Sequence, residues 1–144
     1  MHMQRESNKI RQGLARLAAE GKDAGVIADS TISIWRGIEI ALIPIVGSRG
    51  FAALYARSLY LVRAKHPCLL PSDERVPQTA KLAELRVALA TQTSAEAAAA
   101  SSALLQAFFD LLTGLIGDAL TGQLLRSVCD AHAHDDPTAQ EHST

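Results

Sequence analysis

The residues of this chain whose types and spacing suit chemistry fall into a few separate groups. Gly47-Ser48-Arg49-Gly50 joins two apolar stretches, one from Ile32 to Val46 and one from Phe51 to Val62. A helix starting there would offer free amides and its positive dipole end, and the glycines would let a ligand approach the backbone. An anion is the ligand that suits such a place, with Arg49 and Arg36 adding charge. The segment lacks the longer glycine spacing and lysine of a phosphate loop, and no clear strand precedes it as in a dinucleotide-binding turn. A tight interhelical turn capped by Ser48 explains the same residues, and anion binding stands as the alternative.

Arg36 and Glu39 are charges inside an apolar segment, where charge is costly unless it is paired or exposed. Three residues apart on a helix, they read as an ion pair on the solvent face. A buried Glu39 would suit general acid or base work, but no second carboxylate or histidine stands at a spacing that places it alongside. No catalytic residue is therefore assigned, and an enzyme is not expected.

The group Cys129, Asp130, His132, His134, Asp135 and Asp136 contains metal-ligating types, and His132 and His134 would point the same way only in an extended chain. It matches no ligand spacing, so no metal and no cofactor is expected. His66, just before Pro67, reads as a helix C-terminal cap. No H-x-x-K-G phosphotransfer motif surrounds it. Gly114, Gly117 and Thr121 are small residues that would let another helix come close, and they are the candidate interface positions.

Length and charge bound what these groups can belong to. A chain of 144 residues fits one domain with one core. Alanine and leucine dominate, aromatics are sparse, and the β-branched residues concentrate in Thr31 to Val46, which together predict an all-α single-domain bundle of five or six helices. Residues 1–130 form the expected bundle, and 131–144 read as a polar, disordered tail. Residues 1–86 hold thirteen of the fourteen Lys and Arg against eight acids, whereas 87–144 hold only Arg126 against seven. Such halves neutralise each other across a compact fold, and the basic residues are too sparse and too little interleaved with aromatics for a nucleic-acid surface.

Arg36 and Glu39, and later Asp110 and Asp118, interrupt the apolar runs before they reach the roughly 20 residues of a membrane span, so no membrane segment is expected. Two cysteines without a C-x-x-C partner suit a reducing cytoplasm, with a single Cys68–Cys129 bridge left open.

The helices that must position these groups follow from periodicity. Ile10, Leu14 and Leu17 define one helix over 7–20, closed by Gly21. The next begins near residue 30, capped by Asp29 or Ser30. Residues 31–46 fit a strand or a helix by pattern, but no second strand exists to pair with a lone one, so helix is expected, bent by Pro44 and closed by Gly47. Ser48 opens a helix that stops at His66-Pro67, on which Arg49, Tyr60 and Arg63 lie within roughly 60° of one another, with Arg57 about 80° from Arg49. A proline-rich connection over 67–77 leads to a helix over 79–90. Thr93-Ser94-Ala95-Glu96 has the spacing of a capping box and opens a long Ala/Leu-rich helix that continues, or restarts near Gly117, toward Cys129.

The sequence therefore points to a cytoplasmic, non-enzymatic interaction or regulatory module. Its expected partner is a second copy in a homodimer, or another protein, with neither nucleic acid nor membrane. The alternative is a small-molecule or anion-binding protein using the 47–50 turn.

Overall fold

The computed structural model describes residues 2–69 and 76–134, and within them the chain is an all-α bundle of five helices with no strand. Helix α1 (His2–Ala19) buries Ile10 and Leu14 and ends where Gly21 takes φ +80°. The Gly21 amide donates to the Ala18 carbonyl (3.1 Å) and the Lys22 amide to that of Leu17 (3.0 Å), which satisfies two of the carbonyls a helix end leaves free.

Helix α2 (Ala24–Val62) starts earlier than periodicity suggests. Asp23 is its cap, its carboxylate accepting from the Val26 amide at 3.0 Å. Asp29 and Ser30 thus lie inside the helix, because the glycine reversal already delivers a capping residue six positions sooner. Asp29 instead accepts from Arg86 Nε on α3 at 2.5 Å.

Residues 31–46 are helical, and the helix runs through Pro44 to Gly47, whose φ +80° and ψ 166° divide α2 into arms 24–46 and 48–62. At 1.5 Å per residue the arms are roughly 35 and 22 Å long. Trp35 shows that the second arm folds back on the first: its ring centroid lies 5.2 Å from Tyr55 and 6.3 Å from Phe51, whereas Trp35 and Tyr55 on a straight helix would stand roughly 30 Å apart. Helix α3 (Gln78–Ala90) follows Pro77 and buries Leu82, Leu85 and Leu89. Helix α4 (Ser94–Ile116) is central and touches every other helix. Its cap is Thr93, whose hydroxyl accepts from the Glu96 amide at 3.1 Å.

Gly117 repeats the geometry of Gly47, with φ 91° and ψ 163°, and α5 (Asp118–His134) runs back to pack chiefly against α1 and α2. The restart at Gly117 is the one the sequence offered as an option. Helix α5 also carries 131–134, which were expected in the tail.

By length and composition α2 and α4 would each pass for a membrane-crossing helix. Within the bundle, however, α2 is no straight span because it reverses at Gly47, and the inner face of α4 is the middle of the core.

That core is organised around Trp35, which is fully buried and meets Tyr55, Phe108 (4.9 Å) and Phe51 edge-on. Edge-to-face contact sets the positive rim of one ring against the negative face of the next, which fixes orientation as well as filling volume. Burial, with the Glu84 carboxylate adding to it, pushes the Tyr55 hydroxyl far above its ordinary range, so it stays protonated throughout the neutral region. The Thr31 hydroxyl ties α2 to α4, lying 2.9 Å from the Ile27 carbonyl oxygen and 3.0 Å from the Ser101 hydroxyl. Trp35 Nε1, by contrast, is buried with no hydrogen-bond partner.

Two expectations follow. Backbone like that of Gly47 and Gly117 is essentially closed to residues with a Cβ, so Gly47→Ala and Gly117→Ala should each cost about 1–3 kcal/mol of stability, measured as a shift of the urea midpoint at constant slope. Trp35→Ala should cost about 3–5 kcal/mol. Trp35→Phe should cost distinctly less, because it also removes a buried unpaired donor worth about 1–3 kcal/mol. Thermal and urea unfolding of the two variants side by side checks this, and equal losses would contradict it.

Candidate functional site

Gly47-Ser48-Arg49-Gly50 forms the tip of the α2 hairpin. Ser48 and Arg49 are exposed, while Gly47 and Gly50 are half-buried. Gly50 is needed for close approach, since a Cβ there would stand 2.9 Å from the Val46 Cβ. The turn therefore requires glycine at both ends for steric reasons alone. Arg36 is exposed but lies eleven residues before Gly47, roughly 16 Å back along the first arm, so it does not join Arg49 at the turn.

Arg36 and Glu39 do not form the expected pair. Arg36 points to solvent, whereas Glu39 is half-buried with Oε2 shielded and without a hydrogen-bond partner. The 300° between positions i and i+3 is enough to put one on the open face and the other at its edge. Of the expected interface residues, Gly114 and Gly117 are exposed. Thr121 is not available to a partner: it is fully buried, and its hydroxyl donates to the Gly117 carbonyl at 2.7 Å. That bond closes the first turn of α5.

Of the group near the C-terminus, Cys129, Asp130, His132 and His134 lie on α5, so the extended backbone that would align the two histidines is absent; Asp135 and Asp136 lie outside the described residues. Among the described residues no three His, Cys, Asp or Glu side chains converge as metal ligands.

One polar contact is invisible to local spacing. His66 Nδ1 lies 2.9 Å from Glu96 Oε1, linking the end of the α2 hairpin to the start of α4. The expected capping box is thus half formed, with Thr93 capping Glu96 while the glutamate turns to His66. The end of α2 is closed by backbone, the His66 amide donating to the Val62 carbonyl at 3.0 Å.

Cys68 is free and half-buried nearby. Burial chiefly, and the Glu96 carboxylate secondarily, push its thiol above the ordinary range. A thiol held protonated is a poor nucleophile, so this histidine, glutamate and cysteine do not make an activated site.

The second arm of α2 carries the basic face that its helical spacing implies. The Arg63 and Arg57 guanidinium carbons sit 4.1 and 5.5 Å from the centroid of the half-exposed Tyr60 ring, within cation–π range.

Several large apolar side chains are exposed, among them Val26, Leu61 and Val87 away from the glycine turns, and another group at the end that carries the two glycine reversals. Ile38 and Leu42 of α2, Phe109 and Leu112 of α4, and Leu125 and Val128 of α5 line one narrow apolar cleft of about 10 Å³. This places the Gly47 and Gly117 tips together at one end. There the core stripes outrun the bundle. Ile38 is 3% exposed, yet Ile45, seven residues on along the same stripe, is 44% exposed. Phe108 is fully buried, and Leu115 on its stripe is 61% exposed. Leu120 adds to the exposed apolar surface, and only 17% of the most apolar stretch of α2 is buried. Sequence periodicity marks these residues as core, and it carries no signal for where a neighbouring helix stops.

The protonated state of Cys68 gives a direct measurement. In a Cys129→Ser background, iodoacetamide should label Cys68 much more slowly at pH 7.5 than it labels the same protein in urea, with the rate still climbing above pH 9. Equal rates in the folded and unfolded protein would contradict the shift.

Comparison with known protein families, with curated proteins and with solved structures finds no match to this chain.

Proposed function

We propose that this chain is a non-enzymatic interaction module that associates with itself. The observation that carries the reading is the pair of core stripes on α2 and α4 that continue to the end of each helix, leaving Ile45 and Leu115 exposed at the end where both helices turn. A contiguous apolar patch on a folded domain marks a surface that another body covers, because removing it from water is favourable in proportion to its area. A catalytic reading finds less support. The cleft beneath this end is narrow and apolar, and the polar side chains of interest are dispersed: Arg49 at the tip, Arg36 three turns back, and His66 near the start of α4.

The mass of the full chain in solution, followed by light scattering or sedimentation across a concentration series, tests the reading. A dimer with a dissociation constant of roughly 10 μM or tighter is expected. Ile45→Glu and Leu115→Glu should each shift it to monomer while leaving the melting temperature of that monomer close to that of the parent, since both side chains face solvent within one copy. A chain that stays monomeric at several hundred micromolar, about the range of a weak encounter, would overturn it. A monomer whose melting temperature rises with inorganic phosphate, and loses that rise in Arg49→Ala, would favour anion binding at the 47–50 turn.

A further inference from the structure

We infer that the surface at the Gly47 and Gly117 end recognises its copy by a charge split as well as by apolar contact. The two copies are related by a two-fold axis that sets the Gly47 tip of each against the Gly117 tip of the other. This deepens the self-association reading and rests on it.

The split is in the sequence and is sharpened by the fold. From residue 40 to 69 there is no Asp or Glu, and the α2 tip presents Arg49. From residue 87 to 125 there is no Lys or Arg, and the α4–α5 tip presents Asp118, with Asp110 further back. Arg49, Asp118 and Asp110 are exposed. Asp110 accepts a neutral hydrogen bond from Gln106, and among the described residues Arg36, Arg49 and Asp118 have no ion-pair partner. One end of the molecule therefore carries exposed apolar side chains, Ile45 and Leu115, together with a cation on the α2 tip and an anion on the α4–α5 tip.

A surface of this kind is complementary to itself after a half-turn. In an isologous contact, residue i meets j and j meets i, so each Arg49 faces an Asp118 and the favourable pair occurs twice. The same half-turn sets Ile45 against Leu115 across the axis. An anionic lipid surface would attract Arg49 but repel Asp118 and Asp110 alongside it. A uniformly acidic protein meets the same objection, and a uniformly basic one is opposed by the arginines. A second copy satisfies both sides at once.

Charge reversal tests this with the intact chain. Arg49→Asp alone and Asp118→Arg alone should each raise the dimer dissociation constant about tenfold or more, since each creates two like-charge contacts. The double variant should return to within about threefold of the parent. Because Asp118 opens α5, helical circular dichroism of every variant accompanies the measurement. The milder Arg49→Gln and Asp118→Asn should also give losses that do not add in the double variant. A parent that is dimeric but whose reversals act independently, with no recovery in the double variant, overturns the charge-split geometry and leaves self-association standing. A parent that is monomeric, or monomeric and bound to vesicles containing anionic lipid, overturns both.

Discussion

The arrangement of this bundle depends on a backbone constraint at two positions. Gly47 and Gly117 adopt nearly the same conformation, φ 80° and 91° with ψ near 165°, and each reverses the direction of the chain. Without the first, the two arms of α2 would be one continuous rod and Trp35 would have neither Tyr55 nor Phe51 against it. Without the second, α5 would not cover the face of α2 on which Gly37 allows Val128 to pack, a Cβ at Gly37 standing 3.4 Å from a Val128 methyl. Glycine is required because no other residue enters that region without strain.

Given those reversals, the two ends of the bundle are held in different ways. At the end where α2 and α4 begin, polar contacts connect one segment to another. Ser94 donates to the Lys22 carbonyl at 2.7 Å, His66 meets Glu96, and Asp23 and Thr93 cap their helices. Such bonds are directional and lose strength quickly with misalignment, so they fix register. At the opposite end the hydrogen bonds around the turn are local, the Gly117 amide donating to the Thr113 carbonyl and the Thr121 hydroxyl to that of Gly117, and what holds the helices together is apolar contact around Ile38, Leu42 and Phe109. Apolar contact is non-directional and does not discriminate between a neighbour in the same chain and one in another. Closed polar register at one end leaves the other free to be a surface.

How much of this was legible in the sequence varies with the range of the interaction. The helices were, because Ile10 and Leu14, Leu82 and Leu89, and Leu104 and Phe108 recur at the spacing of one helical face, and Gly21, Gly47 and Gly117 mark where the faces end. The helical state of 31–46 was also legible, since a lone strand has nothing to pair with. The start of α2 was misplaced because Asp29 and Ser30 have the side chains of a cap, whereas the Gly21 turn already sets Asp23 in that position. The Arg36 and Glu39 pair failed for another reason. Spacing says that two side chains are close enough to meet, but not that one of them has a solvent face to itself. His66 with Glu96, thirty residues apart, and the burial of Thr121 are products of tertiary packing that no local pattern encodes.

The exposed end bears on why periodicity and burial disagree at Ile45 and Leu115. A helix that has only to close a single core gains nothing from apolar residues beyond the last neighbour, and polar residues there would hydrate better and end the helix as well. In α4 the stripe instead persists through Leu112, Leu115 and Ile116, to the residue before Gly117, and in α2 through Ile43, Ile45 and Val46, to the residue before Gly47. Both stripes thus stop where the backbone reverses, not where the bundle stops covering them. Fully covering one such side chain is worth about 1.5–3 kcal/mol; Ile45 and Leu115 are 44% and 61% exposed, so covering the remainder on both copies of a two-fold contact contributes part of what association needs. The charges flanking those residues add little affinity in water, but opposed in sign on the two sides they leave one orientation of a second copy without like-charge contacts. The apolar end thus supplies the drive to associate, and the charge split selects the geometry.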